Sequence, residues 1–178
     1  MKKYIARIIE ALILSLLIMV GIQQPYNIVQ AASGTLDYGD GDRYVGKYDS
    51  VIGDKNGKGK YYCADGTVIS GVWSNDFLKG KATVVYANKD KYVGYYQRDR
   101  RNGSGTYTWK NGDKYKGAWK NDLMNGKGTY TWKNKNYIKG TWKNGKLNGK
   151  ATLKIRKYKY SIKVTNGKLK KVYSRKKA

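Results

Sequence analysis

The sequence of 178 residues contains no histidine, one cysteine, Cys63, and one glutamate, Glu10. Without histidine, the chain cannot form a Ser–His or Cys–His nucleophile pair or a metal site that needs an imidazole ligand. A lone cysteine excludes a disulfide within the chain. The other acidic residues are aspartates, many of them where turns are expected, and turns favour Asp for local backbone bonding. A carboxylate pair for glycoside hydrolysis stays open, but turn positions explain the aspartates without it. We therefore expect no catalytic activity, no cofactor and no metal ion.

Negative charge is also scarce. The chain has 12 acidic residues against 37 lysines and arginines, which gives a formal net charge of +25. The imbalance is concentrated in residues 123–178, which hold eighteen basic residues and no acidic one, whereas residues 32–65 have a net charge of −1. This excess is larger than solubility requires. It predicts attraction to anionic polymers or surfaces.

Residues 1–31 have the pattern of an export signal. Three basic residues precede an apolar run over residues 8–22, and the small residues Val29 and Ala31 precede a suitable cleavage position. The run is shorter than the ~20 residues of a typical membrane-spanning helix. We expect a signal helix that is cleaved after Ala31, and a protein that is secreted or held at the extracellular surface. The alternative is an uncleaved membrane anchor formed by residues 8–22.

A repeat of 23 residues organises the rest of the chain. One set of glycines recurs at this step, and a second set follows it at the same step: Gly71, Gly94, Gly117 and Gly140, then Gly57, Gly80, Gly103, Gly126 and Gly149. The first repeat is two residues longer, and the extra residues fit in a hairpin tip around Asp49 to Asn56. A period of this size indicates an array of supersecondary units.

Within each repeat the residues alternate with the period of two that is typical of strands. Tyr115, Gly117 and Trp119 share one face, and the flanking lysines share the other. Equivalent positions hold further aromatic and glycine residues: Tyr92, Gly94, Gly128, Tyr130, Gly140 and Trp142. Glycine is unfavourable inside a strand unless another group approaches closely. We therefore expect neighbouring rings to lie over the glycines and to form the core, with Cys63 as a small buried filler.

Pairs such as Asn111-Gly112 and Asp40-Gly41 separate the strands. Asn-Gly and Asp-Gly favour a type I′ turn because both of its central residues need positive φ. The sequence thus predicts an all-β antiparallel meander of about thirteen strands, or about six consecutive hairpins. Residues 32–157 form the array, made of a half-repeat and five repeats. Residues 158–178 form a degenerate capping hairpin followed by a frayed basic tail from Lys170.

The motif Tyr-x-Gly-x-Trp followed by Gly-x-Gly-Thr-Tyr, as in residues 115–130, resembles the MORN repeat family. The resemblance covers residues 34–155 and implies a twisted antiparallel sheet of consecutive hairpins. It also implies a non-catalytic, membrane-apposed or scaffolding module. Acidic phospholipids have been proposed as ligands for this family.

Four binding functions are open at this point. The favoured one is docking to an anionic surface, either phospholipid headgroups or a cell-wall polyanion, through the lysine-rich face. Its candidate residues are Lys114, Lys116, Lys120, Lys127, Lys133, Lys139, Lys143, Lys150, Lys154 and Arg156. The alternative is a protein-interaction scaffold or a homodimer that buries the aromatic face. Binding of nucleic acid ranks behind both, because export separates the chain from cytoplasmic nucleic acid and the rings are expected to be packed. Binding of cell-wall carbohydrate also ranks behind, because the 23-residue step and the Tyr-x-Gly-x-Trp motif favour the MORN-like interpretation.

Overall fold

The computed structural model describes residues 31–177, which form one antiparallel sheet of thirteen strands. The strands are β1 (Ala31–Asp37), β2 (Arg43–Asp49), β3 (Lys55–Tyr62), β4 (Val68–Ser74), β5 (Phe77–Val85), β6 (Lys91–Gln97), β7 (Arg100–Thr108), β8 (Lys114–Lys120), β9 (Leu123–Thr131), β10 (Tyr137–Lys143), β11 (Lys146–Ile155), β12 (Tyr158–Thr165) and β13 (Lys168–Lys177). Strand order in the sheet is strand order in the sequence. The predicted all-β meander and its number of strands are therefore confirmed.

The amino-terminal prediction lies almost entirely outside the described residues. The expected signal helix covers residues 1–31, of which only Ala31 is described, as the first residue of β1. Within residues 31–177, no helix is long and apolar enough to cross a membrane.

The connections at the two ends of the strands use different turns, and each set of strand ends is here called an edge. At one edge, here called the tip edge, the hairpins within each repeat close, and in β8–β9 both tip residues, Asn121 and Asp122, have positive φ (47° and 66°). This is the type I′ geometry. At the other edge, called the turn edge, Gly112 has a φ of 93° but Asn111 has no positive φ, and the Gly112 N–H donates to the Trp109 carbonyl oxygen at 2.9 Å.

The predicted type I′ turn at Asn111-Gly112 is therefore wrong. The Asn111 side-chain oxygen accepts a hydrogen bond from the Asp113 N–H at 2.9 Å. This local bond is typical of an Asx turn and competes with the left-handed conformation at the asparagine. The connection is a longer loop in which the glycine alone is left-handed, a common form of hairpin connection.

The predicted faces are confirmed by burial. Tyr115 and Trp119 on β8 are 0% and 5% exposed, whereas Lys114, Lys116 and Lys120 on the same strand are exposed. Buried aromatic residues recur along the array on the same face: Tyr44, Trp73, Tyr92, Tyr96 and Trp142. We call this the aromatic face and the opposite side the open face. A single sheet layer thus carries its core on one side.

Glycine pairs make this single-layer core possible. Gly117 on β8 is directly opposite Gly128 on β9, and the ring of Tyr115 covers both. A Cβ atom added at either glycine would lie within 2.7 Å of the tyrosine ring carbon Cζ. The Tyr115 hydroxyl reaches past the pair and donates to the Ala118 carbonyl oxygen at 3.1 Å. The recurring position of the tyrosine rings, at Tyr44, Tyr92 and Tyr115, therefore depends on glycine beneath each ring, as the sequence predicted.

Edge-to-face ring contacts link one repeat to the next. The ring centroids of Tyr115 and Trp142 are 5.3 Å apart at an interplanar angle of 82°, and those of Tyr92 and Trp119 are 5.4 Å apart at 87°. Such aromatic pairs contribute ~0.5–1.5 kcal/mol beyond the area that they bury. The Trp119 indole N–H also donates to the Gly105 carbonyl oxygen at 3.3 Å. The repeats are therefore joined by side chains as well as by backbone bonds.

Two smaller predictions need correction. The frayed basic tail expected from Lys170 is instead part of β13, which pairs with β12 as far as Lys177. Backbone pairing with an existing strand orders this segment even though its side chains are all exposed. Cys63 is only partly buried, because it lies just after β3 at the turn edge rather than within a strand.

Candidate anion-binding face

Cross-strand pairing sorts the open face into rows of side chains. In one row, Lys116 is opposite Thr106 and Thr129, and Lys139 is opposite Thr129 and Thr152. Lysine and threonine thus alternate along this row from β7 to β11. Threonine hydroxyls can donate hydrogen bonds to anionic oxygens beside the lysine ammonium groups.

A second row runs parallel to the first, two residues closer to the tip edge on each strand. Lys127 is opposite Thr141 in this row, and Lys150 on β11 is opposite Lys163 on β12. Lys127 belongs to this row because it lies two residues from Thr129 on the same face and pairs regularly with Thr141. A bulge follows towards the tip edge: between the pairs Gly117–Gly128 and Trp119–Met124, β9 has two more residues than β8, and Gly126 within this bulge has a φ of 105°. That conformation costs glycine little and other residues considerably more.

A groove of about 1070 Å³ runs between the two rows. Its floor is the backbone of the residues between the rows, such as Gly117 and Gly128, whose Cβ positions point to the aromatic face, against the Tyr115 ring. Lys116 and Lys139 line one side, and Lys127 and Lys150 line the other. We call these four residues the groove lysines. They come from four successive strands, β8 to β11, and alternate between the two sides.

The structure brings six of the ten predicted anion-binding residues together on the central part of the open face. They are the groove lysines with Lys114 and Lys154, which lie in the next row towards the turn edge. Lys120 and Lys143 are the last residues of β8 and β10, at the tip edge. Lys133 and Arg156 lie in turns outside the strands, so they do not line the groove.

The groove lysines have no carboxylate partner among the described residues. The ion pairs found within residues 31–177 join Lys55 to Asp76 and Arg101 to Asp122, both near the tip edge. All four groove lysines are exposed. Their charges are therefore available to a ligand.

The turn-edge aspartates are held by other bonds. Asp113 accepts hydrogen bonds from the Tyr130 hydroxyl at 2.7 Å and from the Lys133 N–H at 2.9 Å. Asp42 accepts equivalent bonds from Tyr61 and Ala64. The tyrosine bond, followed by the backbone bond, lowers the pKa of each carboxyl below its ordinary value of 3.8. These carboxylates tie successive turns together rather than balancing the open face.

Sequence reasoning found the lysines but missed their arrangement. The steps from Lys116 to Lys127, Lys139 and Lys150 are 11, 12 and 11 residues, about half of the 23-residue repeat. This spacing was a signal that each successive strand carries one lysine. Sequence reasoning also missed Lys81 and Tyr95, which line the groove further towards the amino terminus.

The fold and its open face define a class of protein: a single-layer repeat protein built from consecutive β-hairpins. The sequence model of the MORN repeat matches this chain at residues 50–68, 70–91, 92–114, 115–137 and 139–157. The chain belongs to the MORN repeat family. Members of this family are generally non-catalytic, and the family indicates a repeat module for binding or scaffolding.

Comparison with other proteins adds little beyond the family. No curated protein matches the chain. A similar solved structure is the SAS-4 (dCPAP) TCP domain of Drosophila melanogaster, in complex with a proline-rich motif of Ana2 (dSTIL). The identity is 16%, the match covers 86% of this chain and 96% of that chain, and the TM-score is 0.31. A TM-score this low carries no functional argument.

Proposed function

We propose that this chain is a non-catalytic binding module that docks on anionic phosphate-bearing material through its open face. The material is either phospholipid headgroups or a cell-wall polyanion. The observation that carries this proposal is the set of groove lysines, which share one groove without a carboxylate partner among the described residues. Each basic residue near an anionic surface contributes about 1 kcal/mol to binding.

The distribution of charge supports the same proposal. Residues 123–178 contain eighteen basic residues and no acidic one, and they include three of the four groove lysines. The other end of the array, residues 32–65, has a net charge of −1. We therefore expect affinity to be concentrated in β9 to β13.

The aromatic face gives less support to the alternative, a protein scaffold or homodimer. Tyr44, Tyr92 and Tyr115 are 0% exposed within a single chain, so a partner could not bury them further.

We also propose that the protein is exported, because of the basic, apolar and small-residue pattern of residues 1–31. Export would bring the open face to extracellular polyanions and the outer membrane leaflet. Mass spectrometry of the protein from its native cells tests this. We expect a mature amino terminus at or near Ala32 in an extracellular or surface fraction. A soluble cytoplasmic pool that retains residues 1–31 would contradict the proposal.

Binding is tested by sedimentation of the full chain with three probes across a salt series. The probes are vesicles of phosphatidylglycerol, vesicles of phosphatidylcholine, and a linear poly(glycerol phosphate). We expect binding to at least one anionic probe that weakens steeply with salt, as the Debye length falls from about 10 Å at 0.1 M to about 3 Å at 1 M. The phosphatidylcholine vesicles report any insertion of residues 8–22. Equal binding to neutral and anionic vesicles, with no binding to the polymer, contradicts the proposal.

A further inference from the structure

We propose that the groove selects a linear polyanion, such as a chain of phosphodiester-linked units, that lies across the strands from β8 to β11. This inference rests on the proposed anion binding and specifies the shape of the ligand. It is carried by the alternation of the groove lysines between the two sides of the groove.

The dimensions of the groove match a single extended chain. Residues on either side of a central glycine are two positions apart along a strand, or about 7 Å, and adjacent strands are about 4.8 Å apart. Four successive strands therefore present four ammonium groups over about 14 Å of groove. A polymer lying in the groove meets one lysine per strand, from alternating sides.

The groove floor is uncovered backbone, so a thin chain can approach it closely. No side chain enters the groove from its centre: a Cβ atom at Gly117 or Gly128 would meet the Tyr115 ring on the aromatic face, and the methyl group of Ala151 lies on that face too. Thr129 lies between Lys116 and Lys139 in one row, and Thr152 lies on the other side of Lys139. Their hydroxyls can donate hydrogen bonds to phosphate oxygens at positions between the ion pairs.

A flat bilayer would use the face differently. A planar layer of headgroups is wider than the spacing of about 7 Å between the rows, so it would rest on the rims. Binding would then depend on the total exposed charge, and lysines at the edges would contribute as much as lysines in the groove. This difference separates the two ligands by experiment.

The test compares two variants of equal net charge. The groove variant carries Lys→Gln at Lys116, Lys127, Lys139 and Lys150. The edge variant carries Lys→Gln at four lysines that are also exposed but lie in the turns or at the ends of strands: Lys110, Lys133, Lys143 and Lys146. Both variants retain residues 1–31, so any contribution of that segment is the same in each.

Affinity for linear poly(glycerol phosphate) is measured for both variants between about 0.05 and 0.2 M salt, where counterion release is strong. We expect the groove variant to bind roughly 100-fold more weakly at low salt and the edge variant about 3-fold more weakly. The logarithm of the association constant falls linearly with the logarithm of the salt concentration. The magnitude of this slope should be smaller by about 3 in the groove variant, because four ion pairs are lost at ~0.7 each. Circular dichroism and thermal melting of both variants confirm folding.

Three outcomes would overturn the inference. Equal loss in the two variants means that charge acts diffusely. If no form of the protein binds the polymer, and phosphatidylglycerol vesicles bind wild type and both variants in proportion to their net charge, the ligand is a membrane. In both cases anion binding itself stands. Absence of binding to polymer and anionic vesicles alike removes the proposed function together with the inference.

Discussion

The ring of Tyr115 lies against the backbone of Gly128, and this contact crosses from one strand to its hairpin partner. It explains why the core of a single sheet layer needs glycine at two opposed positions. We expect Gly128→Ala to lower the free energy of unfolding by about 1–3 kcal/mol, because the new methyl group overlaps the ring. The neighbouring Lys127→Ala change, on the open face, should stay within about 0.5 kcal/mol. Denaturant unfolding measures both, and equal losses would contradict the assigned faces.

The chain itself suggests a compensating change. Where isoleucine replaces the tyrosine, as at Ile138, the second glycine is replaced by alanine, Ala151, which packs against Gly140. We therefore expect Tyr115→Ile to be less destabilising in the Gly128→Ala background than in the wild type. A double-mutant cycle measures this coupling, which for residues in contact is about 0.5–3 kcal/mol. Additive effects would show that the ring and the glycine are independent.

The tip edge provides a second test of the array. Asp122 accepts hydrogen bonds from the backbone N–H and the Nε of Arg101, both at 3.0 Å, and so joins the tips of successive repeats. Leucine occupies the position of Arg101 in other repeats, at Leu78 and Leu147. We expect Asp122→Ala to destabilise by about 1–3 kcal/mol, because it leaves the Arg101 N–H and guanidinium without this acceptor. Arg101→Leu should lower the free energy of unfolding by less than Asp122→Ala does. If denaturant unfolding shows a larger loss for Arg101→Leu, this role for the aspartate is contradicted.

A pH dependence follows from the turn edge. Hydrogen bonds from Tyr130 and Lys133 lower the pKa of Asp113 below 3.8, so the folded state binds a proton less readily than the unfolded state. The stability that Asp113 contributes is therefore present above about pH 4 and is lost as the pH falls through its lowered pKa. We expect the difference in Tm between wild type and Asp113→Asn to be largest near neutral pH and to shrink below about pH 4. A difference that stays constant down to acid pH would contradict the account of these bonds.

Much of the fold could be predicted because local pattern and global topology agree. The 23-residue step and the alternation around Gly117 specify strands, faces and order, since each strand pairs only with its sequence neighbours. The turns were harder. Asn121-Asp122 adopts type I′ geometry without glycine, because the closing strands impose a conformation that neither residue strongly prefers. The continuation of β13 beyond Lys170 was not predicted, because its basic residues lack alternation and are ordered by pairing with β12.

The candidate site was predictable in composition but not in geometry. The excess of lysine on one face follows from alternation alone. Which side chains share a row depends on the register between strands, such as Lys116 opposite Thr129 and Lys127 opposite Thr141, and a period of two does not give the register. The groove between the rows depends on this register.

We propose that the groove of the open face, and not the general positive charge of the chain, holds the anionic ligand. Lysine acetylation followed by mass spectrometry tests this directly, with the full chain alone and in the presence of poly(glycerol phosphate). We predict that acetylation of Lys116, Lys127, Lys139 and Lys150 slows markedly on binding, while Lys110 and Lys133, which are also exposed in the free chain, are little affected. Uniform protection of all lysines, or protection of the turn lysines alone, would contradict the claim.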